Sequence, residues 1–415
     1  MKYSPLSLLF LCLLIAYTSV STDTKACTTA IVSGRYTADG RPLLWKVRDT
    51  SAYDNKMIYL QDGRYAFIGL TNTKDTLGQQ IWAGSNEVGF AIMNSASFNV
   101  NLEKKIDKKD QEGYFMHRAL ASCKTLKDFE KMLRKEPRPM GLAAHFGVID
   151  GEGGAAFYEV NNETFTKVDA NDPLLAPNGY ILRTNFSFTG KKDIGYGFIR
   201  FQTAQDLFMQ ADAMHQLTPQ TFMQRFGRSL SHAILKKDYY KEYNQVPASS
   251  ESFINTGDFI CRYETASQVL VQGVTKKMEA DMSIVWTQVG FPQTCVTIPL
   301  WVRGGKQLPK IVTAEYKKES KYHSFVALNN WAYQWKKKIY PIERSAGYKY
   351  MCISRLVNQE KTGYLQRIEK FEDQLFKSAY AHKTKWEKEN PSAQEIYTYN
   401  SELNKLVTDF YMSQQ

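Results

Sequence analysis

The chain has 415 residues, 43% of them hydrophobic and 23% charged, with 53 Lys and Arg against 42 Asp and Glu for a net charge of +11. That length suits one large domain or two small ones, and no low-complexity linker or strong repeat divides it. The lysines fall in short scattered runs such as Lys104-Lys105, Lys108-Lys109, Lys317-Lys318 and Lys336-Lys337-Lys338, without arginine-aromatic interleaving. This predicts a solvated surface, weakly attractive to an anionic envelope, and argues against a nucleic-acid groove.

The N-terminus reads as a secretory leader over residues 1–26: Lys2, an apolar core from Leu6 to Tyr17, then the small residues Thr18-Ser19-Val20-Ser21. The core is shorter than the roughly 20 apolar residues of a membrane span. An exported protein without stable membrane insertion is therefore expected. Cleavage can fall after Ser21, which requires a second trim, external or autocatalytic, or after Ala26; losing Lys2, Asp23 and Lys25 lowers the net charge from +11 to +10. A lipid-modified Cys27 is the competing reading, disfavoured by Thr24 and Lys25 where an aliphatic residue is usual.

Strands are expected at 27–35 and 42–48, joined through the turn signal Thr37-Ala38-Asp39-Gly40 into a hairpin. Further strands are expected at 65–70, 80–83, 89–94, 145–149, 155–160, 180–184, 267–272, 283–288 and 295–299. Apolar spacings of three and four predict helices over 114–134, 198–210, 218–236 and 359–388. Antiparallel strands with helices between and after them predict an α+β layered fold. Residues 27–358 are expected to form the catalytic domain and 359–415 a helical extension packed on it.

Cys27 carries the chemistry. If the mature chain begins there, one residue holds both a thiol and a free α-amine, with ordinary pKa values of about 8.5 and about 7.7–8.0. The amine can then take the thiol proton without a histidine, and a nucleophile needs such a base in reach. Five cysteines follow the leader, Cys27, Cys123, Cys261, Cys295 and Cys352; an odd count leaves one thiol unpaired, and Cys27 is the natural candidate. No CxxC or His/Cys ligand spacing is present, so no metal and no cofactor is expected. The second strand ends in Lys46-Val47-Arg48-Asp49, and the hairpin brings that end beside Cys27. Asp49 can orient the amine, and Lys46 or Arg48 can favour the thiolate. Asn94 and Asn185, each at the end of a strand-like run, can cap turns or donate to an oxyanion.

In its opening Cys-Thr, its Asp-Gly turn, the cation three before an aspartate, Asn86-Glu87-Val88-Gly89-Phe90 running to Asn94, and the later Thr184-Asn185, the chain resembles the cysteine-type N-terminal nucleophile hydrolases. That group contains the choloylglycine (bile salt) hydrolases, penicillin V acylases and isopenicillin N acyltransferases. The resemblance runs in order over residues 27–300. It implies a four-layer αββα sandwich with additional C-terminal helices, and cleavage of a linear amide C–N bond in a small N-acyl substrate through a thioester. Carried over by position, Cys27 is nucleophile and base, Asp49 orients the amine, Asn185 and Asn94 bind the oxyanion, and Lys46 stands where the bile salt hydrolases have arginine. Arg200, in Ile199-Arg200-Phe201, matches the family's later arginine, with Arg262 as the fallback and a substrate-binding candidate. An acyltransferase on the same scaffold, a Cys/His thiol protease and a non-enzymatic exported binding protein are the alternatives. Self-association stays open.

Overall fold

The computed structural model describes residues 26–102, 110–313 and 326–414, so the expected leader lies outside them except for Ala26. The apolar alternation of the first two runs forms β1 (Thr28–Val32) and β2 (Leu43–Asp49), paired antiparallel with Thr28 opposite Val47 and Thr29 opposite Lys46. They sit inside a six-stranded sheet in the order β10-β1-β2-β14-β15-β16, where β10 is Tyr180–Arg183, β14 Thr265–Gln272, β15 Ile284–Gln288 and β16 Ile298–Trp301. A seven-stranded sheet follows chain order: β3 (Asn55–Leu60), β4 (Phe67–Asn72), β5 (Ala83–Asn86), β6 (Ala91–Ala96), β7 (Ala144–Ile149), β8 (Ala155–Val160) and β9 (Phe165–Asp169). Two minor ribbons complete the strands. One joins β11 (Ser231–His232) to β12 (Lys237–Asp238), and the other β13 (Phe253–Asn255) to β17 (Tyr350–Cys352).

The two large sheets pack face to face, with β1 and β2 lying on β6 and β7. Gly147 on β7 permits the approach, since a Cβ there would come within 2.3 Å of Met93 Cε and 3.1 Å of Ile31 Cδ1. Helices cover both outer faces. Over the seven-stranded sheet lie α1 (Glu112–Ser122) and α2 (Leu126–Lys135), which share a core with Phe67, Phe90, Phe146 and Tyr158. The expected single helix over 114–134 is broken because Thr125 and Asp128 form a reciprocal capping box that starts a second helix.

Over the six-stranded sheet lies α3 (Phe198–Ala213), followed by a π-helical turn at Thr221–Phe226 rather than the helix expected over 218–236. Phe208, Phe222 and Phe226 close around Trp45 at ring distances of 5.6–6.2 Å. The remaining helices are α4 (Tyr239–Tyr243), α5 (Ala327–Ile339), α6 (Ile353–Leu356), α7 (Tyr364–Glu389) and α8 (Ala393–Met412). The architecture is the α+β αββα sandwich.

The stretch from 359 onward, expected as an extension, is joined to the sandwich through a single core. Trp286 of β15 stacks on Phe376 at 5.1 Å, and Trp301 of β16 meets Trp386 at 4.8 Å. Burying a large side chain of this kind contributes about 1.5–3 kcal/mol. Beneath them Arg228 grips Glu372 of α7 with two 2.7 Å hydrogen bonds. The C-terminal helices thus form part of the outer layer.

Candidate active site

Side chains alternate faces along a strand, so Cys27, Lys46 and Arg48 all point from the hairpin into the space between the sheets. They line a cavity of about 280 Å³ together with Asp49, Thr50, Trp82, Asn94, Ser97 and Phe98. In the described chain Ala26 precedes Cys27 and is buried, so the Cys27 nitrogen is an amide here. All five described cysteines are free and buried.

Lys46 is 2% exposed and donates to the Trp82 carbonyl at 2.8 Å and to Asn94 Oδ1 at 2.6 Å. Asn94, its oxygen so engaged, lines the cavity. Burial pulls the Lys46 pKa down to about 8; charge on Cys27 opposes this and Arg48 adds to it. Arg48 lies 4.8 Å over the Trp82 ring, donates to Asn55 Oδ1, and reaches Asn72 Oδ1 at 3.0 Å. Burial lowers its pKa to about 10, again against Cys27. Among the described residues neither cation has a carboxylate in ion-pair range.

Asp49 ends β2 and is 1% exposed. Its Oδ1 accepts from Thr265 Oγ1 at 2.6 Å, and Oδ2 lies 2.9 Å from Arg262 Nε. That N–H is not aimed at the oxygen, so both atoms lack an aligned hydrogen bond. Burial raises the Asp49 pKa, opposed by Arg262, Arg200 and the Thr265 hydroxyl.

Arg200 reaches the same corner from α3. Its Nη1 donates to the Cys27 carbonyl at 2.8 Å and to Thr28 Oγ1 at 2.9 Å, and its Nη2 to Asn185 Oδ1 at 2.8 Å. Gly197 makes this possible: its φ is +85°, and a Cβ would meet Arg200 Nη2 at 2.4 Å. Burial lowers the Arg200 pKa to about 10, with Arg262 adding to the effect and Asp49 and Cys27 opposing it.

The expected residues therefore gather around Cys27, with two changes of place. Asn185 does not line the cavity, because its Nδ2 hydrogens go to Ser95 Oγ at 3.3 Å and the Ala96 carbonyl at 2.8 Å. Its Oδ1 accepts from Arg200. Arg262, expected against substrate, is turned onto Asp49 and lines a separate hollow of about 240 Å³ with Ala26, Arg200 and Asp258. Trp82, Ser97, Phe98 and Thr265 were not singled out from the sequence. Only Thr265 carried a signal, as the end of the Ile260–Thr265 run containing Arg262.

Among the described residues no group of three His, Cys, Asp or Glu is placed to hold a metal, and no helix is long and apolar enough to cross a membrane. An αββα sandwich with Cys27 at the head of an inner strand is the arrangement that the sequence resemblance implied. Residues 39–272, more than half the chain, match the family model described as acyl-coenzyme A:6-aminopenicillanic acid acyl-transferase, and the protein belongs to that family. Solved structures similar to it include a mutant of conjugated bile acid hydrolase from Clostridium perfringens, at 12% identity over 66% of this chain and 92% of that one, TM-score 0.35. Others are the Caenorhabditis elegans ortholog of N-acylethanolamine-hydrolyzing acid amidase (14% identity, 46% and 86% covered, TM-score 0.33) and penicillin V acylase from Agrobacterium tumefaciens (10%, 66% and 86%, TM-score 0.33). No curated protein matches the chain.

Proposed function

We propose that the protein is an exported amidohydrolase that becomes active when residues 1–26 are removed and Cys27 acquires a free α-amine. The observation that carries this reading is the Asp49 Oδ2 atom: a buried carboxylate oxygen beside Cys27 with no aligned donor. Buried acceptors are nearly always satisfied, and the new amine supplies the missing N–H.

In the proposed reaction the amine, held by Asp49, takes the Cys27 thiol proton, and the sulfur attacks the carbonyl carbon of an N-acyl amide bound in the 280 Å³ cavity. Asn94 Nδ2 donates to the developing oxyanion, while Lys46 fixes the Asn94 oxygen and adds positive charge nearby. The protonated amine then gives its proton to the departing nitrogen as the C–N bond breaks, leaving a thioester on Cys27. Water, deprotonated by the same amine, cleaves the thioester and restores the thiol. Arg200 holds the Cys27 carbonyl and so fixes the residue that reacts.

The family description favours a second outcome, in which an amine replaces water as acyl acceptor. Intact-mass analysis of the mature protein, followed by assay on glycocholate, penicillin V and N-acyl amino acids with and without added amine, tests both readings. A chain starting at Cys27 that releases free acid supports hydrolysis, and a new amide product supports transfer. An active protein retaining residues before Cys27 excludes the mechanism.

A further inference from the structure

Lys336 lies on α5, beyond the stretch matched by the family model, and is 3% exposed. Its ammonium faces the rings of Tyr53 and Tyr263, each 4.1 Å from Nζ to the centroid, and Phe291 at 5.1 Å. Tyr340 packs edge-on against Tyr263 at 5.2 Å and Phe291 at 5.9 Å, closing the cage. Among the described residues no carboxylate is in ion-pair range. The hydrogen bond from Nζ goes to the Tyr263 carbonyl.

That carbonyl belongs to the loop that wraps Asp49. The residue before it, Arg262, lies against Asp49 Oδ2, and Thr265 donates to Oδ1. The Glu264 carbonyl accepts from Thr50 N at 3.0 Å, and Thr265 N donates to the Arg262 carbonyl at 2.8 Å. The same helix also holds the segment that follows β2, where Asn329 Nδ2 donates to the Tyr53 carbonyl at 3.0 Å. Filling this space needs no charge, since an unbranched apolar side chain would do so without the desolvation a buried ammonium incurs. What the ammonium adds is direction, a cation held by ring faces and aimed at one carbonyl.

We infer that Lys336 is a positioning residue for Asp49: by holding the Tyr263 carbonyl it sets the 262–265 loop whose Arg262 and Thr265 fix the carboxylate that orients the Cys27 amine. This rests on the role proposed for Asp49. Burial draws the Lys336 pKa down to about 7, with Cys261, Glu264 and Asp49 opposing, so the ammonium is present on the acid side of neutrality.

The test uses the mature protein at pH 6, on whichever of glycocholate, penicillin V or an N-acyl glycine it hydrolyses. Lys336→Met is expected to lower kcat about tenfold with KM nearly unchanged, because orientation and not substrate contact is lost. In an Asp49→Asn background the same substitution is expected to cause little further loss, since residues acting through one group are not additive. Alkylation of Cys27 by iodoacetamide, followed by mass spectrometry, should also slow severalfold in Lys336→Met, and this needs no substrate. Unchanged turnover and alkylation in Lys336→Met, or a full second loss on top of Asp49→Asn, overturns the inference. Those results leave the function standing, whereas a mature protein inert on all three amides but with the expected slowing of alkylation strikes at the function alone. Should Lys336→Met not accumulate as folded protein, Lys336→Gln carries the same expectations and the same refutations.

Discussion

Two clusters of buried charge sit on opposite faces of the six-stranded sheet and are built in opposite ways. At Arg228 the guanidinium meets both oxygens of Glu372 at 2.7 Å and donates to the Pro292 and Cys295 carbonyls at 2.7 and 2.8 Å. Burial works against its charge, but Glu372 outweighs it and the Arg228 pKa rises. At Lys46 and Arg48, burial prevails and both pKa values fall. The first cluster is balanced and fixes α7 on the sheet. The second has surplus positive charge facing a cavity, which is where a thiolate or an oxyanion is stabilised most.

Four substitutions separate these roles. The largest effect is expected from Cys27→Ser, where loss of the thiol should reduce kcat about 1,000-fold or more with the thermal midpoint unchanged; comparable turnover would remove Cys27 from the chemistry. Glu372→Ala should destabilise by about 3–5 kcal/mol in denaturant unfolding, because it strands a buried guanidinium, while activity per folded molecule is kept. Loss of activity without loss of stability would erase the contrast between the clusters.

Asp49→Asn comes third. An amide keeps the shape but not the charge that holds the amine, so kcat should fall about 100-fold with little change in stability. The smallest effect is in the pH profile. Lys46 is protonated below about 8 and loses its charge as pH rises through that value. Activity should therefore fall on the alkaline side near pH 8, and Lys46→Arg should carry that limb upward because guanidinium stays charged. An unmoved limb would assign it to another group.

Local pattern carried much of the reading. Apolar runs located β2, β7 and β8 to within a residue and the start of β1, whose end falls three residues earlier than expected, and the Asp-Gly turn marked the hairpin. The expected strand at 80–83 lies instead at Ala83–Asn86, and that at 295–299 at Ile298–Trp301 behind a 3-10 turn. β3 and α5 were not foreseen, and α8 only as part of the helical stretch from 359 onward; β3 and α5 are mixed in composition, and neighbouring layers stabilise them more than their own periodicity.

The sequence alone determined that Cys27 heads a buried strand and that the hairpin returns Lys46, Arg48 and Asp49 to it, because side-chain period and turn chemistry act within a few residues. Tertiary structure alone decided that Asn185 accepts from Arg200, that Arg262 turns to Asp49, and that α5 brings Lys336 to the Tyr263 carbonyl. Hydrogen bonds between segments over 200 residues apart, such as Thr265 to Asp49, leave no local signature, since their partners are chosen only when the layers close.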